Sequence, residues 1–264
     1  MLARFNSREK DNMTDEQQKL NGSNGKEPAR LIGLSDGVFA TVLTLLVLDL
    51  RVSEIFNAGG GNTYQILKSI GPHLFSYLMT FLVAGSYWLR HHRDFDQVVS
   101  YDRGLLSYNL LFLLFIGLLP FSTAIISLDE SQSMNYSFYW AIYATNIALA
   151  GIMLTLTWNY AVSHHLVYPE RTQAYYWNIT LRGLMIPFVF LLSIATEYLF
   201  PKFISQYTLL AVPFANKLID RFFAKTGPEI QPGQSGWRDM LWQSGISGIW
   251  IVIIGFAVWA SSLK

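Results

Sequence analysis

Cysteine is absent from this chain of 264 residues, and charged residues are scarce. Without a thiol there is no disulfide, no thiolate metal ligand and no cysteine nucleophile. Asp, Glu, Lys and Arg make up 14% of the residues, whereas soluble domains carry about 25%. The formal net charge is +1, and no basic cluster is interleaved with aromatic residues, which argues against a nucleic-acid partner.

Hydrophobic residues, by contrast, make up 52% of the chain. They are concentrated in runs of about 20 residues, the length that an α-helix needs to cross a bilayer. Charged residues collect at the ends of these runs, where they stay out of the hydrocarbon. The sequence therefore predicts an all-α, polytopic membrane protein. Seven membrane spans are predicted, at residues 31–52, 66–89, 104–126, 137–162, 177–199, 203–222 and 240–263.

The sixth predicted span is the weakest, because it contains Pro213, Asn216 and Lys217. Whether it crosses the membrane decides the topology of the chain. If it crosses the membrane and the N-terminus is cytosolic, 15 Lys and Arg residues lie inside and 4 outside; if it is a loop, the split is 12 to 7. Positive charge is favoured on the cytosolic side, so we expect a multi-pass protein of the cell membrane with a cytosolic N-terminus. The chain then divides into a disordered tail (1–29), a six-helix core (30–225), a linker (226–237) and an additional helix (238–264).

A stripe of small and hydroxyl-bearing residues runs along the first predicted helix. Gly37, Thr41, Thr44 and Leu48 recur at spacings of three and four and therefore share one face, which Leu45 extends. Such a stripe either lets helices pack closely or lines an aqueous lumen in which aliphatic rings act as gates. Periodicity alone favours packing over pore lining.

Asp36 lies inside the first predicted span. An ionisable residue at that depth is a candidate functional residue and needs a partner. Arg30 is one candidate, and His91 and His92 at the end of the second span are others. A network that locks the start of the first helix is compatible with a role in gating.

The first span also carries a recognisable motif. Arg30-Leu-Ile-Gly-Leu34-Ser35-Asp36-Gly37, followed by VFATVLTLLVLDL, resembles the first-helix signature of the prokaryotic relatives of the lysosomal potassium channel called transmembrane protein 175. In that family the helix opens with Arg, three residues and Phe-Ser-Asp. The stretch YWLRHHRDF is similar to the end of the family's second helix. The resemblance covers residues 30–225.

The resemblance implies a homotetramer of six-helix subunits in the lipid bilayer, with four copies of the first helix around a pore for monovalent cations. In the family, bulky aliphatic residues constrict the pore and a Thr layer contributes to the preference for potassium. Counted from the Ser-Asp pair, the Thr layer falls on Thr44 and the constriction on Thr41, Leu45 and Leu48. The expected function is a modestly selective, leak-like potassium channel with a hydrophobic gate, and no cofactor beyond the permeant ions.

Two positions depart from the family pattern. Leu34 stands where the family has Phe, and Thr41 stands where it usually has Ile or Leu. The second departure either moves the tightest ring outward to Leu45 or Leu48, or makes the inner part of the pore wetter.

An enzyme is one alternative. His91 and Asp96 fit the His-x4-Asp pattern of lipid acyltransferases, in which His acts as a base and Asp orients it. A metal site that combines His91 and His92 with His164 and His165 is a further variant of this alternative.

A secondary transporter is the other alternative, and it requires a site at the midplane on broken helices. The sequence Gly71-Pro72-His73 in the second span is the candidate break. The first-helix motif has no second copy, which weakens a design from inverted repeats. Oligomeric state separates the alternatives, because a pore on a fourfold axis requires a tetramer.

Overall fold

The structure, a computed structural model, describes residues 28–48, 63–127, 136–168 and 173–199. Apart from short connections, these residues form helices, which confirms the all-α class for the described part of the chain. The predicted sixth span, linker and additional helix, and the predicted tail up to residue 27, lie outside the described residues. The helices are α1 (Ala29–Leu48), α2 (Thr63–Phe95), α3 (Arg103–Gly117), α4 (Leu119–Ser127), α5 (Tyr136–Ser163) and α6 (Gln173–Leu199).

Within the described ranges, four helical segments are long and apolar enough to cross a membrane: Ala29–Leu48, Arg103–Ile126, Tyr136–Ser163 and Tyr175–Leu199. They correspond to the first, third, fourth and fifth predicted spans. Helix α2 corresponds to the second predicted span and is also long enough, at 33 residues, but it is not one of the four. Four such segments in the described part fit the predicted multi-pass architecture.

The third predicted span is not one continuous helix. α3 ends at Gly117 and α4 begins at Leu119, with Leu118 between them. Pro120 in the first turn of α4 has no backbone N–H to continue the α3 pattern. The side chain of Asn146 in α5 donates hydrogen bonds to the carbonyl oxygen of Phe115 (3.3 Å) and to Ser122 Oγ (3.1 Å). The predicted span over 104–126 is confirmed as one apolar segment, Arg103–Ile126, and α5 supports the break within it from the side.

α5 is the central helix of the described bundle. It packs against α2, α3, α4 and α6, whereas α1 packs against α2, α3 and α4. The apolar core forms two clusters. The smaller cluster lies at the end of the bundle where α1 begins, which we call the near end. Its buried members are Leu31, Phe95, Val98, Leu105, Trp158, Ala161 and Val167.

Two connections meet at the near end. An isolated antiparallel bridge pairs Val98, after α2, with Val167, after α5. The N–H of Val99 donates to the carbonyl oxygen of Leu166 (2.8 Å), and the N–H of Tyr168 donates to that of Gln97 (3.1 Å). The α2–α3 connection and the segment that follows α5 are thus joined through their backbones.

Asp102 caps α3 at the same end. Its Oδ1 accepts a hydrogen bond from the N–H of Leu105 (2.8 Å), which satisfies a donor that the first turn of a helix leaves unpaired. This backbone hydrogen bond favours the charged carboxylate and holds the pKa of Asp102 below its usual range.

α5 ends at the near end in a Schellman motif. The N–H of Leu166 donates to the carbonyl oxygen of Ala161 (2.9 Å), and the N–H of His165 donates to that of Val162 (3.2 Å). His165 sits at the position that glycine usually occupies and has a φ of 55°. That left-handed conformation costs a side-chain-bearing residue about 1–2 kcal/mol.

Candidate pore helix and its anchoring site

α1 has two unlike faces. One face is buried against the rest of the bundle, and its members follow the three- and four-residue spacing of a helix. They are Leu31, Ser35, Phe39, Val42 and Leu46. Phe39 and Leu46 expose only 1% of their surface. This buried face fixes the rotation of α1 and so decides which residues point away from the chain.

The opposite face carries the stripe that the sequence predicts. Gly37, Thr41, Thr44, Leu45 and Leu48 are all exposed. Leu45 exposes 44% of its surface and Leu48 73%. No described part of this chain covers these residues.

The two Thr hydroxyls on this face are oriented by their own helix. Thr41 Oγ1 donates to the carbonyl oxygen of Gly37 (2.9 Å), and Thr44 Oγ1 donates to that of Thr41 (2.7 Å). Because each hydroxyl proton is used within the helix, the oxygen lone pairs remain free to accept. A helical rise of 1.5 Å per residue separates the two oxygen layers by about 4.5 Å.

Asp36 is half-buried beside the stripe, and Trp88 of α2 is its hydrogen-bond partner. Trp88 Nε1 donates to Asp36 Oδ1 at 2.8 Å, and the indole ring stacks on His92 with centroids 5.7 Å apart. Arg30 is exposed in the first turn. Among the described residues, the carboxylate of Asp36 is not bonded to any of the three partners expected from sequence. The neutral but polar indole takes that place.

Ser35 begins a second connection, which runs to α3 and back to α2. Asn109 Nδ2 donates to Ser35 Oγ (3.1 Å), and Ser35 Oγ donates to the carbonyl oxygen of Leu31 (3.0 Å). His91 Nε2 lies 2.9 Å from Asn109 Oδ1. An amide oxygen only accepts, so His91 carries its proton on Nε2. The three side chains form a directed chain of buried hydrogen bonds.

The His91 ring is held in an aromatic slot. Its centroid lies 4.1 Å from that of Phe95 and 5.6 Å from that of Phe112, with nearly parallel planes. The side chain is 1% exposed. This packing fixes the ring so that Nε2 faces Asn109, and it brings two of the predicted residues, Ser35 and His91, into one network.

Four side chains within residues 87–91 of α2 bind four different helices. Tyr87 donates to the carbonyl oxygen of Ile147 in α5 (2.8 Å) and Trp88 to Asp36 in α1. Arg90 donates to the carbonyl oxygen of Gly183 in α6 (2.9 Å), and His91 to Asn109 in α3. Residues 87–91, which we call the anchoring turn, therefore position α1 relative to the rest of the bundle.

The structure does not assemble the sites of the alternative functions. His91 is buried and bonded to Asn109, whereas Asp96 is exposed. His164 stacks on Tyr160 at the near end. The described residues contain no group of three His, Cys, Asp or Glu side chains that could hold a metal ion. α2 runs without a break through residues 71–73, the predicted interruption of a transporter helix.

Sequence reasoning missed Tyr87, Arg90 and Asn109 as members of the site. Asn109 carried a usable signal, since it is a lone amide within a long apolar run, and buried amides require hydrogen-bond partners. Arg90 carried a similar signal next to the two histidines.

Comparison with known proteins identifies the relatives of this chain. Residues 30–120 match the family described as "Endosomal/lysosomal potassium channel TMEM175". A potassium channel of Streptomyces collinus is 34% identical over 147 residues, which cover 54% of this chain and 69% of that protein. The human endosomal/lysosomal proton channel TMEM175 is 31% identical over 144 residues, covering 51% of this chain and 28% of that protein. These relatives are named as ion channels and not as enzymes.

The fold has a counterpart among solved structures. The crystal structure of a lysosomal potassium-selective channel TMEM175 homologue from Chamaesiphon minutus superposes with a TM-score of 0.57 at 22% identity. The match covers 76% of this chain and 98% of that one. The motif around Ser35 and Asp36 lies within the matched region of the family, and the resemblance noted from sequence is confirmed. This chain belongs to the TMEM175 family.

Proposed function

We propose that this protein is a potassium-permeable cation channel of the cell membrane, with four copies of α1 around its pore. Family membership and the names of the bacterial relatives support conduction of potassium. The observation that carries the choice of α1 is its uncovered stripe of glycine, threonine and leucine. A helix whose polar stripe faces away from its own subunit suits a pore lined by several subunits.

Thr44 is the proposed selectivity residue. Its hydroxyl proton is donated to the Thr41 carbonyl, so four such oxygens would face a permeating ion with their lone pairs. They replace part of the hydration shell of potassium, which is larger and less strongly hydrated than sodium. Hydroxyl layers are fewer than the carbonyl rings of dedicated potassium filters, so the preference is modest.

Leu48 and Leu45 are the proposed hydrophobic gate. Both are exposed. Leu45 directly follows Thr44, and Leu48 lies one turn beyond it. Four Leu side chains around a narrow axis resist wetting and block ions until the helices spread or rotate. Thr41 adds a second hydroxyl layer in place of the aliphatic ring expected from the family pattern. The tightest ring therefore moves to the Leu positions.

The proposed topology places the first turn of α1 at the cytosolic mouth, as the distribution of positive charge predicts. Asp36 lies near that mouth, one position before Gly37 of the stripe. The half-buried carboxylate raises the local concentration of cations there. Its hydrogen bond with Trp88 also ties the start of α1 to the anchoring turn.

The test is cation flux through the purified protein in liposomes loaded with potassium. We expect fast potassium efflux and slower sodium efflux from the liposomes. The purified protein in detergent should be a tetramer. A pH-sensitive dye in the same liposomes measures proton flux, because the human relative is named as a proton channel. Proton flux without potassium flux would indicate a proton channel instead of a potassium channel. If an intact tetramer conducts neither ion, the proposal is contradicted.

Thr44→Val tests the selectivity residue with a matched control. It removes the hydroxyl at nearly constant volume and should lower the ratio of potassium to sodium flux. Thr155→Val is the control, because Thr155 also donates to a backbone carbonyl of its own helix but is buried in α5. The proposal for Thr44 fails if both variants change the ratio equally, or if neither does.

A further inference from the structure

α6 contains a proline in its interior, Pro187. Proline has no backbone N–H, so the carbonyl four residues earlier loses its helical hydrogen bond. That carbonyl belongs to Gly183. A carbonyl buried in a helix bundle needs another donor, since an unpaired one is costly away from water.

Arg90 of α2 supplies the donor. Its Nη1 lies 2.9 Å from the carbonyl oxygen of Gly183. Its Nε lies 3.3 Å from Asp94 Oδ2, one helical turn later. Arg90 is 8% exposed and Asp94 5%, so the guanidinium is aimed into the bundle, and Asp94 offsets its charge there.

Gly183 leaves the space that the guanidinium occupies. A Cβ at this position would overlap Nη2 and Cζ of Arg90. Alanine therefore does not fit while Arg90 keeps this position. Gly183 and Pro187 together leave the carbonyl of Gly183 accessible, and the Arg90 side chain of α2 reaches it.

We infer that Arg90 replaces the amide missing at Pro187 and thereby joins the turn of α6 that lacks a backbone hydrogen bond to the anchoring turn that holds α1. Arg90 lies two residues after Trp88, which binds Asp36. A shift of α6 at Pro187 pulls on the same segment of α2 that positions the proposed pore helix. Arg90 is thus a positioning residue for α1.

A double-mutant cycle tests the pairing. Arg90→Ala in the full-length protein should lower the melting temperature by roughly 5–10 °C, because it leaves the carbonyl and Asp94 without partners. In a Pro187→Ala background the helix regains an N–H for the Gly183 carbonyl. In that background the same Arg90→Ala change should lower the melting temperature by about half as much. The loss of the Asp94 pair is common to both backgrounds and cancels.

Arg93→Ala is the matched control, because Arg93 is an exposed arginine on the same helix. Arg93→Ala should change the melting temperature only slightly, and equally with and without Pro187→Ala. An Arg90→Ala loss that is equal with and without Pro187 would overturn the inference, as would an interaction of the same size for Arg93.

A second cycle does not depend on the proline. Gly183→Ala should lower the melting temperature when Arg90 is present, because the Cβ displaces the guanidinium. In an Arg90→Ala background the sign should reverse or vanish, since alanine is the better helix former. An equal loss in both backgrounds would show that the glycine is required for another reason, and the inference would fail.

The coupling to α1 is read from ion flux and rests on the proposed function. Arg90→Ala should change the potassium flux per tetramer, and Pro187→Ala in the same molecule should restore part of it. If the wild-type protein shows no flux, the proposed function is contradicted, but the two melting-temperature cycles still test the pairing of Arg90. Normal wild-type flux, with an Arg90→Ala change that Pro187→Ala does not relieve, would sink the coupling alone.

Discussion

α1 and α5 are both apolar enough to span a membrane, yet the bundle uses them in opposite ways. In the most apolar part of α5, 61% of the residues are buried, compared with 28% in α1, although α1 is the more apolar of the two. Apolar character therefore does not decide which helix forms the centre of the subunit. α5 completes the fold of one chain, whereas α1 leaves a patterned face for something outside it.

Two leucines on α1 should give the largest separation between folding and function. Leu46 is 1% exposed and Leu48 is 73% exposed. Leu46→Ala should cost about 2–5 kcal/mol of stability through the cavity it leaves. Leu48→Ala should cost less than about 0.5 kcal/mol and raise potassium leak by widening the proposed gate. Thermal melts and liposome flux measure the two effects, and unchanged flux in Leu48→Ala would count against the gate.

Two glycines extend the comparison to both helices. A Cβ at Gly151 in α5 would lie 2.5 Å from Pro187 Cγ and 2.6 Å from the Tyr87 hydroxyl, so Gly151→Ala should cost about 1–3 kcal/mol. A Cβ at Gly37 in α1 meets nothing within 4 Å. Gly37→Ala should therefore stabilise the subunit by up to about 1 kcal/mol. Melting curves that moved in the same direction for both variants would contradict the assignment of the faces.

Two tryptophans test the anchoring turn. Trp88 donates to Asp36 in α1, and Trp140 of α5 donates to Ser193 Oγ in α6 (3.0 Å). Replacement of either by Phe removes one indole donor and should cost about 1–3 kcal/mol. Only Trp88→Phe should also change potassium flux, because it releases the start of α1. Equal flux in the two variants at matched stability would remove Trp88 from the mechanism.

The smallest effect is expected where α5 ends. His165→Gly should raise stability by about 1 kcal/mol, because glycine adopts the left-handed conformation at no steric cost. The backbone hydrogen bonds of the motif do not involve the side chain and should remain. A melting temperature that falls would show that the imidazole makes a contribution larger than the strain.

Helix position was well predicted wherever an apolar run ends at polar residues. The fourth predicted span, 137–162, corresponds to α5 at Tyr136–Ser163. The face of α1 was also predictable, because the helical period places its glycine and threonine residues on one side. The break between α3 and α4 was not predicted. Its proline lies within an unbroken apolar run, and hydropathy does not register the loss of one backbone donor.

The partner of Asp36 was harder to predict, for a physical reason. Charge complementarity suggests Arg30 or a histidine, but Trp88 is 52 positions away in the chain. Its approach depends on the rotation of α2, which Tyr87, Arg90 and His91 set through contacts with three other helices. Such a set of contacts forms only in the folded bundle, and no local pattern encodes it. The roles of Thr41, Thr44, Leu45 and Leu48 remain predictions.

The backbone bridge between Val98 and Val167 also constrains how the chain can change in evolution. A shift of this pairing by one residue would turn Val98 or Val167 to the opposite side of the bridge, away from the near-end core. Insertions and deletions in these two segments should therefore be rare among relatives, or occur in both together. The short pairing fixes the position of the end of α2 relative to the end of α5.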